Sequence, residues 1–159
     1  MARIERNIFI NTSIEKVFDF VAEPNTMLMW IHNLVEVKDR SEGAVGLGTT
    51  YREAMKGPGG VKMWSFTRIS KYERPNRLDF ESTSAGMRLT FAHRLEPKDN
   101  GTLVTEIGDY TLPRKFLGKV IDKLFMEKYI TGNIVHTLEK LKAVRRAGRL
   151  WISGCIVIT

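Results

Sequence analysis

Apolar residues recur with helical spacing shortly after the start of the chain. Between residues 14 and 21 they occupy positions i, i+3, i+4 and i+7, which predicts a short amphipathic helix. The segment Thr12-Ser13-Ile14-Glu15 has the form of a capping box, in which Thr12 is the N-cap and the glutamate reaches back to its amide. Pro24 ends this helix and can begin a second short one that carries Trp30.

Between residues 34 and 110 the period of the pattern is close to two, which is typical of strands. Turn signals such as Gly57-Pro58-Gly59-Gly60 and Pro75-Asn76 separate the runs. Consecutive strands joined by such short turns pair in an antiparallel manner. Including one strand before the short helices, the predicted strands are Arg3–Asn11, Leu34–Asp39, Thr49–Lys56, Val61–Tyr72, Arg77–Ser84, Met87–Glu96 and Thr102–Tyr110.

Helical spacing returns after Pro113 and predicts one long amphipathic helix from about Arg114 to Ala147. Lys128 interrupts the apolar stripe and Gly132 lies near its middle, so we expect a bend or a shift of the buried face near residues 128–132. The stripe consists of Leu117, Ile121, Leu124, Ile134, Leu138 and Leu141.

Strands and helices are therefore segregated along the chain, which favours an α+β fold over a doubly wound parallel sheet. The predicted architecture is a curved antiparallel sheet of about seven strands around the long C-terminal helix, with two short helices after the first strand. The 159 residues, with a mass of 18.2 kDa, suffice for one domain with a real core, which we place at residues 1–147. Residues 148–159 form an apolar, β-prone tail, expected to be an extra strand, a partner contact or disordered.

The distribution of charge is uneven only in the C-terminal segment of the chain. The chain has a net charge of +7, and the last 46 residues hold ten of its 25 Lys and Arg but only three of its 18 Asp and Glu. A solvated helix face explains this excess most simply, and a transient contact with an anionic membrane surface is the alternative. No nucleic-acid module accompanies the basic segment, so we expect no nucleic-acid partner.

Cysteine content and hydropathy bear on the compartment of the protein. A single cysteine, Cys155, cannot form an intramolecular disulfide, which is consistent with a reducing cytoplasm. No apolar run approaches the roughly 20 residues that cross a bilayer, and the first residues are charged, with no signal-peptide pattern. We therefore expect a cytoplasmic protein.

Four motifs in a fixed order resemble a known family. The chain is similar to the polyketide cyclase/dehydrase and lipid-transport group of the START/Bet v 1-like (SRPBCC) superfamily over residues 3 to about 146, and the tail has no counterpart there. The motifs are the segment from Ile8 to Val21, the following Trp30, the turn Tyr72-Glu73-Arg74-Pro75-Asn76-Arg77-Leu78 and the hairpin Asn100-Gly101-Thr102-Leu103-Val104-Thr105.

The resemblance implies a helix-grip fold with an apolar cavity between the sheet and the long helix. Flexible methionines and large aromatic side chains suit such a cavity, although core packing is the alternative role for each of them. Phe125 and Tyr129 on the long helix are expected to close the mouth of the cavity. The predicted ligand-binding residues are Trp30, Met55, Trp64, Phe80, Met87, Phe91, His93, Phe125 and Tyr129.

His93 is the main candidate for chemistry because it lies in phase with the apolar residues of its strand. An imidazole there could orient a ligand carbonyl or act as a general base, and a buried neutral histidine is the alternative. Asp109 is the predicted acid–base partner, with Glu53 as a second option. The alternation near Ile107-Gly108 does not settle whether Asp109 or Glu106 points inward.

Three functions remain open at this stage. The first is binding or transport of a small hydrophobic ligand such as a lipid, polyketide or quinone, and the second is a cyclase or dehydratase that uses His93 and Asp109. The third is a protein-interaction module, which an interior without a pocket of roughly 300 Å³ or more would favour. The histidines have no metal-ligand spacing, so we expect neither a metal nor another cofactor. The β-prone tail suggests a homodimer through strand pairing.

Overall fold

The described part of the chain forms seven strands, two short α-helices and one long α-helix. The computed structural model describes residues 2–84, 86–111 and 120–146. A 3-10 turn at Pro24–Thr26 joins the two short helices. The elements are β1 (Ala2–Ile10), α1 (Ile14–Ala22), α2 (Met27–Trp30), β2 (Leu34–Lys38), β3 (Thr50–Lys56), β4 (Lys62–Glu73), β5 (Arg77–Ser84), β6 (Met87–Lys98), β7 (Gly101–Thr111) and α3 (Val120–Arg146).

All seven strands form one antiparallel sheet in the order β1-β7-β6-β5-β4-β3-β2. The α+β prediction and the order of its elements are confirmed, and every predicted strand boundary lies within two residues of the observed one. Two irregularities in register, at Leu34/Glu36 and at Ile69/Lys71, are of the kind that bends a sheet. The curved sheet presents its concave face to the helices.

The core lies between this concave face and the helices. Helix α1 buries the predicted stripe, and Val17, Phe18 and Val21 have no exposed surface. Helix α3 runs without interruption through Gly132, but its buried face starts late, because Leu124 is 61% exposed whereas Ile134 is 3% exposed. The predicted stripe is thus buried from Ile130 onward but exposed at Leu124, and the bend or shift near residues 128–132 stays a prediction. The buried positions of α3 are Ile130, Ile134, Thr137, Leu138 and Leu141.

The start of α1 differs from the predicted capping box. The N-cap is Ser13, whose side chain makes no capping hydrogen bond. Thr12 lies between β1 and α1, and its hydroxyl donates a hydrogen bond of 2.7 Å to the backbone oxygen of Asn11. Its own carbonyl oxygen accepts a hydrogen bond from the Thr102 hydroxyl at 2.7 Å, which joins this segment to β7.

Two of the sequence motifs correspond to junctions between elements. In the turn between β4 and β5, Arg74 donates two hydrogen bonds, of 2.7 and 2.9 Å, to the carboxylate of Asp19 on α1. At the start of β7, a Cβ on Gly101 would lie 2.3 Å from the backbone oxygen of Ile10. The first motif therefore joins the β4–β5 turn to α1. The second allows the start of β7 to approach the end of β1 closely.

Several predictions concern residues outside the described ranges. These are the first turns of the long helix, before residue 120, and the tail at residues 148–159. Within the described residues, no helix is both long enough and apolar enough to cross a bilayer.

Candidate functional site

A cavity of about 160 Å³ lies between the concave face of the sheet and helix α3. Helix α2, strands β3 to β7 and α3 all contribute side chains to it. Most of these side chains are apolar, and none of the described residues that line the cavity is Lys or Arg. Among the described residues, the positive charges therefore lie outside the lining of the cavity.

The apolar wall of the cavity is built mainly from methionines and aromatic rings. Met27, Met55, Met63 and Met87 line it, whereas Met29 does not. The inward positions of strands supply most of the wall because successive side chains of a strand point to opposite faces. Of the predicted ligand-binding residues, the structure places Trp30, Met55, Phe80, Met87, Phe91, His93 and Tyr129 around this cavity.

His93 and Glu106 form the buried polar part of the wall. They are directly opposite each other on β6 and β7, and only 3% and 5% of their surfaces are exposed. His93 Nε2 lies 3.8 Å from Glu106 Oε2, which is too far for a direct hydrogen bond. The imidazole lies edge-to-face with Trp30 and Phe80, at centroid distances of 5.9 and 5.6 Å.

Burial makes the uncharged form of each group the stable one. It lowers the pKa of His93 from 6.5 to about 4, an effect that the charge of Asp79 opposes only in part. It raises the pKa of Glu106 from 4.5 to about 8. At neutral pH the site therefore holds a neutral imidazole beside a protonated carboxyl group.

Several polar atoms around the cavity have no hydrogen-bond partner among the described residues. They are Trp30 Nε1, both ring nitrogens of His93, Glu106 Oε2 and the hydroxyl of Tyr110. A buried polar group without a partner costs about 1–3 kcal/mol. A bound molecule that supplies such partners would recover part of this cost.

A second polar cluster, on β3 to β5, is internally paired, and its members Glu53 and Thr67 line the cavity. Glu53 accepts a hydrogen bond of 2.7 Å from the Thr67 hydroxyl, which also lies 2.9 Å from the Ser82 hydroxyl. Burial raises the pKa of Glu53, although the hydrogen bonds from Thr67 and Ser82 oppose this shift. Because its partners are internal, this cluster offers a ligand fewer free groups than His93 and Glu106 do.

Helix α3 is joined to β3 at one side of the cavity. The Tyr129 hydroxyl donates a hydrogen bond of 2.9 Å to the backbone oxygen of Lys56. Tyr129 lines the cavity, and so does Gly57, the residue that follows β3. Tyr129 is therefore a lining residue, and its predicted role in closing the mouth stays a prediction.

Three predicted site residues lie away from the cavity. Trp64 is on the outer face of β4, opposite Ala54, with Lys38 Nζ 4.2 Å from its ring centroid. Phe125 is 55% exposed and is not part of the lining. Asp109 is on the outer face of β7, because Glu106 and Tyr110 of the same strand point inward. The predicted pairing of His93 with Asp109 is therefore not formed.

The sequence did not show which face of β7 Glu106 lies on. Gly108, the next residue on the same face, has no side chain that would reveal the alternation of inward and outward positions. A Cβ there would lie 3.1 Å from Ile134 Cδ1 of α3. The missing side chain therefore lets the helix approach the sheet. Counting back by two from Tyr110 would have identified Glu106 as an inward residue.

The described residues contain no group of three or more His, Cys, Asp and Glu side chains that could hold a metal ion. His32 and His136 lie close together, with ring centroids 4.9 Å apart, but outside the lining of the cavity. Glu139 is the neighbouring acid, 3.4 Å from His136 Nδ1. The polar chemistry of the cavity consequently rests on its acids, hydroxyl groups, imidazole, indole and amide.

The sequence pattern of one family matches residues 1–145 of this chain. That family is described as polyketide cyclase/dehydrase and lipid transport. Because the match spans most of the chain, the protein belongs to this family. No curated protein sequence is significantly similar to it.

Solved structures with the same fold include proteins from several sources. TTHA0849 from Thermus thermophilus has a TM-score of 0.74 at 19% identity, and the similarity covers 92% of this chain and 98% of that one. Ara h 8.0201 has a TM-score of 0.62 at 13% identity, covering 92% and 99%. These similarities establish the START/Bet v 1-like fold.

Another similar structure is that of a protein named for its activity. It is the di-domain aromatase/cyclase StfQ from the steffimycin biosynthetic pathway, with a TM-score of 0.73 at 15% identity. The similarity covers 92% of this chain and 52% of StfQ. The present chain therefore corresponds in length to about half of StfQ.

Proposed function

We propose that the protein binds one small, mostly apolar molecule in the cavity between the sheet and α3, as a carrier or a sequestering protein. The observation that carries this proposal is the apolar cavity whose wall contains buried polar atoms without partners. Removing apolar ligand surface from water contributes about 25 cal/mol per Å². A few polar groups then fix the orientation of the ligand.

The volume of the cavity limits the size of this molecule. At about 160 Å³ it is smaller than the roughly 300 Å³ at which pockets for larger ligands begin, so by volume alone the protein-interaction module stays a candidate function. The volume matches that of the apolar cavity of about 150 Å³ that is known to bind benzene. A molecule the size of one ring matches this volume, whereas a larger one would extend beyond it.

Native mass spectrometry of the purified protein, followed by organic extraction, tests this proposal. A discrete adduct of low mass supports it and gives the chemical class of the ligand. Ser65→Leu, which adds bulk at a position lining the cavity, should abolish the adduct. Thr83→Leu adds similar bulk at an exposed position on the outer face and should retain it. Equal occupancy in both variants would contradict binding at this cavity.

Acid–base catalysis is the second candidate function, and the geometry of His93 and Glu106 favours it. In a dehydration, His93 would take a proton from the carbon next to a carbonyl, and Glu106 would protonate the departing hydroxyl group. The C–O bond breaks, a C=C bond forms and water leaves. Proton transfer from the imidazolium to the carboxylate then restores both groups, which suits their ordinary uncharged forms.

A small cyclic β-hydroxy ketone is a suitable probe for this second candidate. Its dehydration gives a conjugated enone, whose ultraviolet absorbance measures the rate. His93→Ala and Glu106→Gln should each abolish turnover and leave probe affinity nearly intact, whereas Asp109→Asn on the outer face should retain both. If His93→Ala lowered affinity and turnover together, His93 would be a binding residue only.

A further inference from the structure

We infer that Trp30, His93 and Glu106 form a hydrogen-bonding subsite for a hydroxyl group on an uncharged, one-ring-sized ligand. This inference rests on the proposed binding function and specifies the chemistry of its ligand. The three side chains are neighbours around one part of the cavity, since the Trp30 and His93 rings are in contact and His93 is opposite Glu106. All three line the cavity.

The hydrogen-bonding capacity of the three side chains determines which group fits. The Trp30 indole is a donor only, so the ligand must present an acceptor to it. A neutral imidazole has one donor and one acceptor nitrogen, and a protonated carboxyl group likewise donates and accepts. A hydroxyl group accepts from the indole and donates to His93 or Glu106, whereas a carbonyl group leaves the acceptors unused.

An anionic ligand has no counter-charge in this cavity. Among the residues that the structure places around it, none is Lys or Arg, and two of them, Glu53 and Glu106, are acids. Transfer of a carboxylate from water into such surroundings is costly without a cation or several donors. The net charge of +7 therefore does not indicate an acidic ligand.

A cationic ligand fits less well than a hydroxyl compound. An ammonium group could pair with Glu106, but it has donors only and leaves the Trp30 indole without an acceptor. It would also require Glu106 to ionise in a buried position, where desolvation opposes the carboxylate. A neutral hydroxyl group avoids both costs.

Four probes built on one ring test the inference at neutral pH: toluene, phenol, benzoate and benzylamine. Isothermal titration calorimetry with the full-length protein should give the highest affinity for phenol, weaker binding of toluene, and none for the two charged probes. Phenol should also shift the indole N–H resonance of Trp30 in a nitrogen-correlated NMR spectrum. That resonance is assigned by its loss in Trp30→Phe.

Variants separate the subsite from the rest of the cavity. Trp30→Phe removes the indole donor and keeps a ring, and Glu106→Met removes the carboxyl group at similar length. Each should lower the phenol-to-toluene affinity ratio about 5- to 100-fold, as expected for loss of a buried hydrogen bond. Met87→Leu, in the apolar wall, should change both affinities together and preserve the ratio.

The outcomes distinguish the subsite from the binding function. Toluene that binds as tightly as phenol, with unchanged ratios in the variants, would overturn the subsite and leave the apolar binding function intact. Tightest binding of benzoate or benzylamine would overturn the uncharged character of the ligand. If neither toluene nor phenol binds, the proposed binding function fails together with the subsite.

Discussion

His93 and Glu106 face each other across strands β6 and β7, with Nε2 and Oε2 3.8 Å apart and both side chains almost fully buried. In water at neutral pH the carboxyl group would be ionised and the imidazole partly protonated. Burial reverses this preference, because desolvation opposes both charged forms. The pair therefore places a base and an acid in one apolar cavity without placing a charge there.

The first prediction concerns the pH dependence of stability. The pKa of Glu106 is raised in the folded state from 4.5 to about 8, so its contribution is present at low pH and is lost as pH rises through this window. We expect the unfolding free energy of the wild type, relative to Glu106→Gln, to fall by at most about 1.4 kcal/mol per pH unit. Urea denaturation at a series of pH values measures this difference.

His93 changes the unfolding free energy with pH in the opposite direction. Its pKa is lowered from 6.5 to about 4, so its contribution is present above 6.5 and is lost as pH falls. Between pH 4.5 and 6.5 the two effects oppose each other in the wild type, and Glu106→Gln exposes the loss from His93. Glu96→Gln, an exposed carboxyl group on β6, serves as the control. Parallel profiles for all three proteins would contradict the assignment.

The sequence predicted His93 as an inward residue but not its partner, for a physical reason. On β6, Leu89, Phe91 and Leu95 share one face with His93, so the period of two is visible. On β7 the inward position at Gly108 is filled by Ile134 of α3, which is a contact between distant parts of the chain. Strand alternation then places Glu106 on the same inward face as Tyr110 and Asp109 on the outer face, but Gly108 between them carries no side chain that would mark this face in the sequence.

Fold prediction succeeded where the pattern is local, as in the strands and in the stripe of α1. The prediction that Trp64 binds the ligand was wrong because apolar residues occur on both faces of this part of β4: Met63 lines the cavity, whereas Phe66 is exposed on the outer face. Its pairing with Ala54 on the outer face becomes visible only once the register of β3 and β4 is known. Likewise, Thr12 is not the N-cap of α1, although the local motif predicts this role, and its carbonyl oxygen is bonded to Thr102 of β7.

The second prediction compares two leucines on helix α3. Leu141 has no exposed surface and Leu124 is 61% exposed, although the sequence places both in the apolar stripe. Leu141→Ala should cost about 2–5 kcal/mol of unfolding free energy, as truncations in a core do, whereas Leu124→Ala should change it by at most about 0.5 kcal/mol. Chemical denaturation measures both, and similar losses would show that the buried face is not shifted.

The third prediction concerns the close approach of β7 to the end of β1. A Cβ on Gly101 would meet the backbone oxygen of Ile10 at 2.3 Å and Cα of Asn11 at 2.9 Å, and backbone atoms cannot move aside cheaply. Gly101→Ala should therefore lower the melting temperature markedly. Gly46→Ala is the matched control, because nothing lies within 4 Å of its added Cβ. Equal melting temperatures would contradict the approach of the two strands.

The last prediction distinguishes Trp30 from Trp64 by their surroundings. Trp30 is 1% exposed, whereas Trp64 is half-buried on the outer face. Lys38 Nζ, Arg52 Cζ and Lys62 Nζ lie 4.2, 5.0 and 4.9 Å from the Trp64 ring centroid. Glu36 and Asp39 form salt bridges with these cations, so one positive charge is left in excess around the ring. In a Trp151→Phe background at low ionic strength, iodide should therefore quench Trp64 fluorescence more strongly than caesium does.

This difference between quenchers should shrink as sodium chloride is added, since salt screens the charges around Trp64. Replacing Trp64 with Phe should leave only the emission of Trp30, which neither quencher reaches. Replacing Lys38 with Gln removes the cation nearest to the ring and should weaken quenching by iodide while that by caesium changes little. Equal quenching of Trp64 by both ions at low salt would show that the three cations do not surround this ring in solution.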